Sequence, residues 1–403
     1  MKKTNAFTKL IAAALVLCFV MATLASCGTG EIVMSYDNGN YTINEKELSL
    51  IMKVKKLDYF CNMLYTTDDD TATFWATDSG NEEGQTNEEF YKELVTDQTK
   101  AILVEKYLFD QLGLTLSQDK LDTYKTSIKE SETNYGGKGA YKQYFGYTAS
   151  DYYNVYMQMV ARSEAVLEAL CGEGGEYAVT EEDLANYYAE KYVGYQFIVL
   201  DMTNKVKRDE DGNRIIATKK DAEGNVEELD YYETEALSEE EKSEKQILAD
   251  TILAELEAGT KTFEELIAEY SDEYYSVAFP DGQFVLKDGT FINATVTGKV
   301  KDLEIGEYTT EAISVDSDKY QYIVKRIELK DEVYNDDAYL ELFTGYEDTV
   351  KFDKYEKHIE TYLDDVTVNE EILAEYTMKD TFLSQYADDY YMQYLYSYYG
   401  ISG

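Results

Sequence analysis

A change of hydrophobic period near residue 192 sets the strongest limit on the fold. Over residues 88–112 the apolar residues Phe90, Leu94, Ala101, Ile102, Val104, Leu108 and Leu112 recur every three or four positions, and Gly113 stands where a helix would stop. That spacing predicts a long amphipathic helix. Helical signals continue through Ser117 as a cap, through Tyr152, Val155, Met159, Val166 and Leu170 on one face, and through the Thr180-Glu181-Glu182-Asp183 start. Then Tyr195-Gln196-Phe197-Ile198-Val199-Leu200 reads as a strand, and the chain turns mixed in character until residues 334–403 return to helix. A helical block this long contradicts the repeated β-α units of a two-lobed solute-binding protein. Ahead of it, Ile32-Val33-Met34 and Tyr41-Thr42-Ile43 flank an Asn38-Gly39 hairpin signal, and Asn44 caps a helix bearing Leu48, Ile51, Met52 and Leu57.

The beginning of the chain is of another kind. Lys2, Lys3 and Lys9 precede an apolar run over residues 10–21 and then Leu24-Ala25-Ser26-Cys27-Gly28. This is the layout of a secretory signal, and its last five residues resemble a lipobox. Residues 1–26 are therefore expected to be removed and Cys27 to carry diacylglycerol. The apolar run is about 12 residues, short of the roughly 20 that a spanning helix needs. Two acyl chains give stable anchoring where one is marginal. The expected location is the outer face of the bacterial cytoplasmic membrane, of Gram-positive type.

The chain has 80 Asp and Glu against 37 Lys and Arg, a formal charge of −43, and loss of the three lysines before Cys27 takes it to −43 − 3 = −46. Phosphates would be repelled, so nucleic acid is excluded as a partner. Cys61 and Cys171 remain as thiols among apolar residues of predicted helices, and burial as free cysteine or pairing are both open. No Cys and His spacing suits a metal, and the single His358 reads as exposed and structural. Asp209, Asp211 and Asn213 alternate as in a calcium loop, but Gly212 falls one place early and no glutamate stands at the twelfth position. That stretch, with Glu223-Gly224-Asn225, reads instead as the turns of a polar β-ribbon. Residues 66–87, polar around Trp75, form an unusually long loop, which suggests an insertion or a contact loop.

From residue 195 to 328 the order strand, helix-turn-helix, strand, strand resembles a parvulin-type peptidyl-prolyl isomerase domain. The resemblance is carried by Gln196-Phe197-Ile198-Val199-Leu200, the run from Leu256 to Leu266, Glu269-Tyr270-Ser271-Asp272, Asp281-Gly282-Gln283-Phe284, Leu303-Glu304-Ile305-Gly306-Glu307 and Tyr322-Ile323-Val324-Lys325. The helical region before it, with Leu112-Gly113-Leu114-Thr115-Leu116-Ser117 and residues 179–188, resembles the chaperone domain of the PrsA and SurA foldases. The resemblance covers about residues 30–375 and leaves the tyrosine-rich tail outside. It implies an α+β fold: a helical chaperone lobe built from N- and C-terminal segments, with an inserted parvulin-like domain of small antiparallel sheet flanked by helices. The domains expected are a signal peptide (1–26), an N-terminal helical region (27–191), the parvulin-like domain (192–330) and C-terminal helices packing on the first lobe (331–403). Tyr339, Leu342, Phe343, Phe352, Ile359 and Leu363 would need that lobe as an apolar partner.

In the family two histidines and a Cys or Asp build the isomerase cleft. At the matching positions this chain has Phe197, Tyr322 and Glu273, so the resemblance implies a weak or inactive site. Phe279, Phe284 and Phe291, with Phe197 and Tyr322, are candidates for an aromatic peptide-binding cleft, although strand alternation favours core for them. No cofactor is implied. The reading is a membrane-anchored extracytoplasmic foldase that binds unfolded or nascent secreted proteins, with room for a homodimer. An active prolyl isomerase and a solute-binding lipoprotein are the alternatives.

Overall fold

The computed structural model describes residues 30–81, 83–220 and 225–398. The segment read as a signal peptide, with Cys27, lies outside them, as does Gly224 of the ribbon turn. The chain divides into two compact units, one formed by residues 1–179 with 351–403 and the other by residues 180–350. The second unit thus begins earlier and ends later than 192–330. Side chains explain both shifts: Tyr188, on the helix Glu181–Lys191, packs its ring on Phe284 and Tyr334, and the Tyr346 hydroxyl donates to the Leu184 carbonyl at 2.6 Å.

The first unit opens with a hairpin. Strand Ile32–Tyr36 pairs antiparallel with Tyr41–Asn44, and Asp37 and Asn38 take left-handed backbone angles at the turn (φ 49° and 55°). Short polar side chains tolerate that conformation best among non-glycine residues. On its other side the first strand pairs with Thr367–Val368 from the far end of the chain. Asn44 then starts helix Glu45–Asn62, its side chain accepting from the Lys46 and Glu47 amides while Glu47 accepts from the Asn44 amide at 2.9 Å. This reciprocal box satisfies amides that a helix start leaves open. Helices Asn87–Gln111, Gln118–Asn134 and Gln158–Cys171 follow.

Phe60, Leu103, Val104 and Val166 form the centre of this unit's core, and Tyr355, Ile359, Met378 and Ala387 enter it from the C-terminal segment. Each of the Val, Leu, Ile, Phe and Met side chains contributes about 1.5–3 kcal/mol by leaving water. The first part of the long polar loop carries regular structure: Thr67–Asp69 and Ala72–Ala76 are short helices, and Trp75 is buried with its indole N–H donating to Asp70 at 2.6 Å. Cys61 and Cys171 are both buried and unpaired. His358 is half-buried rather than exposed, its ring 4.3 Å from that of Tyr177 and edge-on to Tyr362.

In the second unit a four-stranded antiparallel sheet runs in the order Gln283–Leu286, Tyr192–Asp201, Tyr320–Ile327, Ile313–Val315. Alternation along Tyr192–Asp201 builds two cores. Val193, Tyr195, Phe197 and Val199 face one side, with Phe291 and with Val296 and Val300 of helix Ala294–Val300. Ile198 and Leu200 face the other, against Ile252 of helix Glu239–Ala258 and Leu266 of helix Phe263–Tyr270. Gly194 has no side chain for a physical reason: a Cβ there would lie 2.8 Å from Ile327 and 3.1 Å from Phe284. After the central strand come two small ribbons, Asn204–Val206 with Thr234–Ala236 and Ile216–Lys220 with Val226–Tyr232.

Candidate functional site

One cavity of the second unit gathers polar and aromatic groups on its walls. Ser271 fastens one wall to the central strand: the Val199 amide donates to its hydroxyl at 3.0 Å, the Asp272 amide donates to the Val199 carbonyl at 2.8 Å, and the Asp201 amide donates to the Asp272 carboxylate at 2.9 Å. Glu273 follows as the cap of Tyr274–Ala278 and accepts from the Ser276 amide at 2.7 Å. The polar ribbon makes the facing wall. Arg214 holds it down, one guanidinium nitrogen donating to the Ala268 and Ser271 carbonyls at 2.8 and 3.0 Å, with the group 5.8 Å over the Tyr232 ring.

Between these walls is a cleft of about 840 Å³ with Val199, Tyr320 and Tyr322 on its sheet side and Tyr231, Tyr232 and Glu273 among its sides. Burial, with the Glu273 charge adding to it, pushes the Tyr322 phenol up to about 12. Burial also raises the Glu273 carboxyl above its ordinary range, against the hydrogen bonds from Ser276 and Tyr275. For Asp201 burial acts in the same sense, but donors from Asn204 and Thr203 outweigh it and hold the carboxyl low. Lys319 lies 4.6 Å over the Tyr320 ring.

Of the three positions matched to the isomerase cleft, the structure brings two together. Tyr322 and Glu273 line the cavity, whereas Phe197 is buried behind it, its ring 5.5 Å from Phe291 and perpendicular to it. Tyr322 lies opposite Val199 and Phe197 opposite Val324, with the pair Ile323–Ile198 between, so the two aromatics share one face of the sheet at different points along the ladder. Phe279, Phe284 and Phe291 do not form one aromatic cleft. Phe291 stacks on Tyr195 at 4.7 Å in one core, while Phe284 pairs with Gly194, on the opposite face by alternation, and its ring packs on Tyr188 and Tyr339. Phe279 stacks on Tyr275 and meets Tyr339 at 5.0 Å.

Sequence reasoning missed the ribbon as a wall, and with it Tyr231 and Tyr232. The tyrosine pair at the end of the β-prone segment after the second turn was the available signal. The calcium reading finds its carboxylate occupied, since Asp209 accepts from the Asp211 and Asn213 amides and from the Asn213 side chain. With tyrosine rings and hydroxyls and carboxylates on its walls, the cleft can hold a peptide by hydrogen bonds and ring contacts. It offers no imidazole, because the chain's one histidine is His358 of the other unit.

The architecture is that of an α+β protein in which a helix-flanked antiparallel sheet is inserted into a mainly helical unit. No family model and no curated relative matches the chain. Among solved structures it is similar to PrsA from Bacillus subtilis, at 15% identity over 75% of this chain and 90% of that one, with a TM-score of 0.21. It is likewise similar to the foldase protein PrsA from Lactococcus lactis (14%, 85% and 97%, 0.23) and to a SurA-like chaperone of Campylobacter jejuni (14%, 83% and 96%, 0.19).

Proposed function

We propose that this chain is an extracytoplasmic foldase of the holdase kind, tethered through Cys27 to the outer face of the cytoplasmic membrane, with an inserted unit that is weak or inactive as a prolyl isomerase. Its clients are newly secreted, non-native polypeptides. One observation carries the reading: the cleft is lined by tyrosines and carboxylates suited to holding peptide, while the ring of Phe197 is sealed into the core. Rotation about a prolyl bond faces a barrier of about 18–20 kcal/mol. Each tenfold acceleration needs about 1.4 kcal/mol of transition-state stabilisation. Hydrogen bonds that hold ground and rotated states equally supply none of it.

Two assays on the soluble chain from residue 28 test this. It should suppress aggregation of a reduced secreted client at near-stoichiometric ratio, and it should leave a proline tetrapeptide isomerising at the uncatalysed rate. Absence of suppression would sink the holdase reading. Acceleration that disappears in both Tyr322→Phe and Glu273→Gln would establish the isomerase reading instead. Replacing Cys27 by Ala should release the protein from membranes, and retention of a mature-size form would contradict lipidation.

A further inference from the structure

A second surface of the inserted unit has a different character. Residues 306–315 form the outer margin of the sheet, alongside strand Tyr320–Ile327. The Thr309 amide donates to the Val324 carbonyl at 2.9 Å and the Arg326 amide donates to the Glu307 carbonyl at 2.8 Å, so residues 307 and 309 turn their backbone groups inward. By antiparallel alternation Tyr308 turns its N–H and C=O outward, and at Thr310 and Glu311 the chain bends before strand Ile313–Val315. Among the described residues neither Tyr308 nor Thr310 has a backbone hydrogen bond within the protein. Open edge groups of this kind are a template for another strand.

Outside this margin runs a groove of about 910 Å³, with Asp250, Leu253, Ala254 and Glu257 on its far wall. These four share one face of helix Glu239–Ala258 by their spacing. The Asp250 and Glu257 carboxylates accept no hydrogen bond and join no ion pair among the described residues, and both residues are exposed. Across the groove Glu311 is matched by Lys299 at 3.3 Å. The walls therefore present unbalanced negative charge beside a short apolar strip and beside the open backbone N–H and C=O of Tyr308.

We propose that this edge takes up an extended, lysine- or arginine-rich peptide segment as an additional strand, with basic side chains meeting Asp250 and Glu257. A second copy of the chain is the disfavoured occupant, because pairing edge to edge would set the same carboxylates against each other. The inference is separate from the cleft at Tyr322 and leans on the foldase reading only for the source of such segments.

The test uses the soluble chain from residue 28 and three fluorescent eight-residue peptides: alternating lysine and valine, its glutamate counterpart, and the lysine peptide N-methylated at alternate residues along one edge. The lysine peptide should bind, and the double variant Asp250→Asn, Glu257→Gln should weaken it about tenfold with an unchanged melting temperature. Raising salt to about 0.5 M should weaken it as well, because exposed charges are screened over a few ångströms there. The N-methylated peptide should bind at least tenfold more weakly, since it cannot donate to the open carbonyls. Equal binding of the glutamate peptide, no effect of the double variant, or full-strength binding of the N-methylated peptide would each overturn the proposal. A concentration-dependent dimer that excludes the lysine peptide would overturn it in favour of a second copy. Aggregation suppression measured on the same double variant separates the two readings: if it persists while peptide binding is lost, the edge site stands and the holdase activity resides elsewhere.

Discussion

Replacing Lys56 by methionine should loosen the first unit more than any other single polar change. The ammonium is fully buried, 2.8 Å from the Asp70 carboxylate, and donates to the Met378 and Thr381 carbonyls at 2.8 Å each. It also sits 5.0 Å over the Trp75 ring. Burial lowers its pKa while Asp70 works against that, which is the signature of a charge kept in the interior by its partner. Methionine preserves the stem but strands two carbonyls and, among the described residues, leaves Asp70 with the Trp75 indole as its one side-chain donor. Removing one partner of a buried ion pair costs about 3–5 kcal/mol. Asp70 retains 17% of its side-chain exposure, so water relieves part of the loss and the lower end, about 3 kcal/mol, is expected. At roughly 2–4 °C per kcal/mol for a domain of this size, melting should fall by about 9 °C. Trp75 is the chain's single tryptophan and is buried, so its fluorescence in urea reports this unit alone. The paired variant Lys56→Met, Asp70→Asn should recover about 1 kcal/mol or more, because the stranded charge is gone. A loss below about 1 kcal/mol, or strict additivity of the two changes, would refute the reasoning.

Three further outcomes are expected. Burial raises the Glu105 carboxyl although Ser163, Tyr355 and Lys55 oppose it, so the folded state binds the proton more readily than the unfolded one. Its contribution is then fully present below the unfolded carboxyl range and is lost as pH rises through the higher folded value, so Glu105→Gln should gain stability relative to the parent as pH rises from the unfolded carboxyl range through that higher value. A pH-independent difference in urea midpoints would contradict this. Arg214→Ala should cost about 2 kcal/mol by removing two charge-assisted hydrogen bonds that pin the ribbon. Limited proteolysis should then cut within residues 204–236 sooner, and an unchanged digestion pattern would count against the clamp. Burial raises both thiols, that of Cys61 to about 11, so in the chain from residue 28 neither should react with a water-soluble thiol reagent until urea unfolds it. Reaction of either thiol in the native protein would show an opening that the packing does not contain.

Local chemistry was legible in the sequence and pairing was not. Asn44, Ser117, Thr180 and Ser238 cap helices where their side chains and the acidic residues after them indicate, since a cap is decided within four residues. The shift from helical to strand period falls at Tyr192, where the central strand begins. What the sequence could not show was which aromatic faced which space. Phe197 and Tyr322 are equivalent by resemblance, yet antiparallel register places one in the core and the other on a cleft, and register is fixed by contacts more than a hundred residues apart. The same holds for Phe284 and Phe291, seven residues apart in the chain and on opposite sides of a sheet. Trp75 lay in a stretch whose composition reads as loop, and its contacts with Asp70, Phe60, Phe74, Tyr91 and Lys56 are what place it in the core.

The forty tyrosines find a partial physical account in the charge imbalance. The chain holds 43 more carboxylates than lysine and arginine side chains, so ion pairing alone leaves many carboxylates without a protein donor. Tyrosine hydroxyls take that role in several places: Tyr41 donates to Asp110 at 3.2 Å, Tyr124 to Glu164 at 2.9 Å, Tyr275 to Asp230 at 3.0 Å, Tyr355 to Glu105 at 2.8 Å, Tyr376 to Glu45 at 3.1 Å, and Tyr144 to Asp389. A neutral donor to a charged acceptor contributes about 1.5–3 kcal/mol. Unlike lysine it brings a ring that packs. The last three pairs, with the Met378 and Lys379 amides donating to Glu88 and the Thr67 amide to Asp388, fasten the C-terminal segment to the N-terminal helices. At these positions tyrosine is structural cement suited to an acidic chain, and its abundance there needs no client. The helix Tyr386–Tyr398 divides along the same line: its start is packed, with Ala387 fully buried and Tyr386 against Phe145, whereas Tyr394, Tyr396 and Tyr398 stand exposed, Tyr394 and Tyr398 stacked on each other. Packing and charge compensation account for the docked half of that helix, where Tyr144 of the N-terminal segment donates to Asp389.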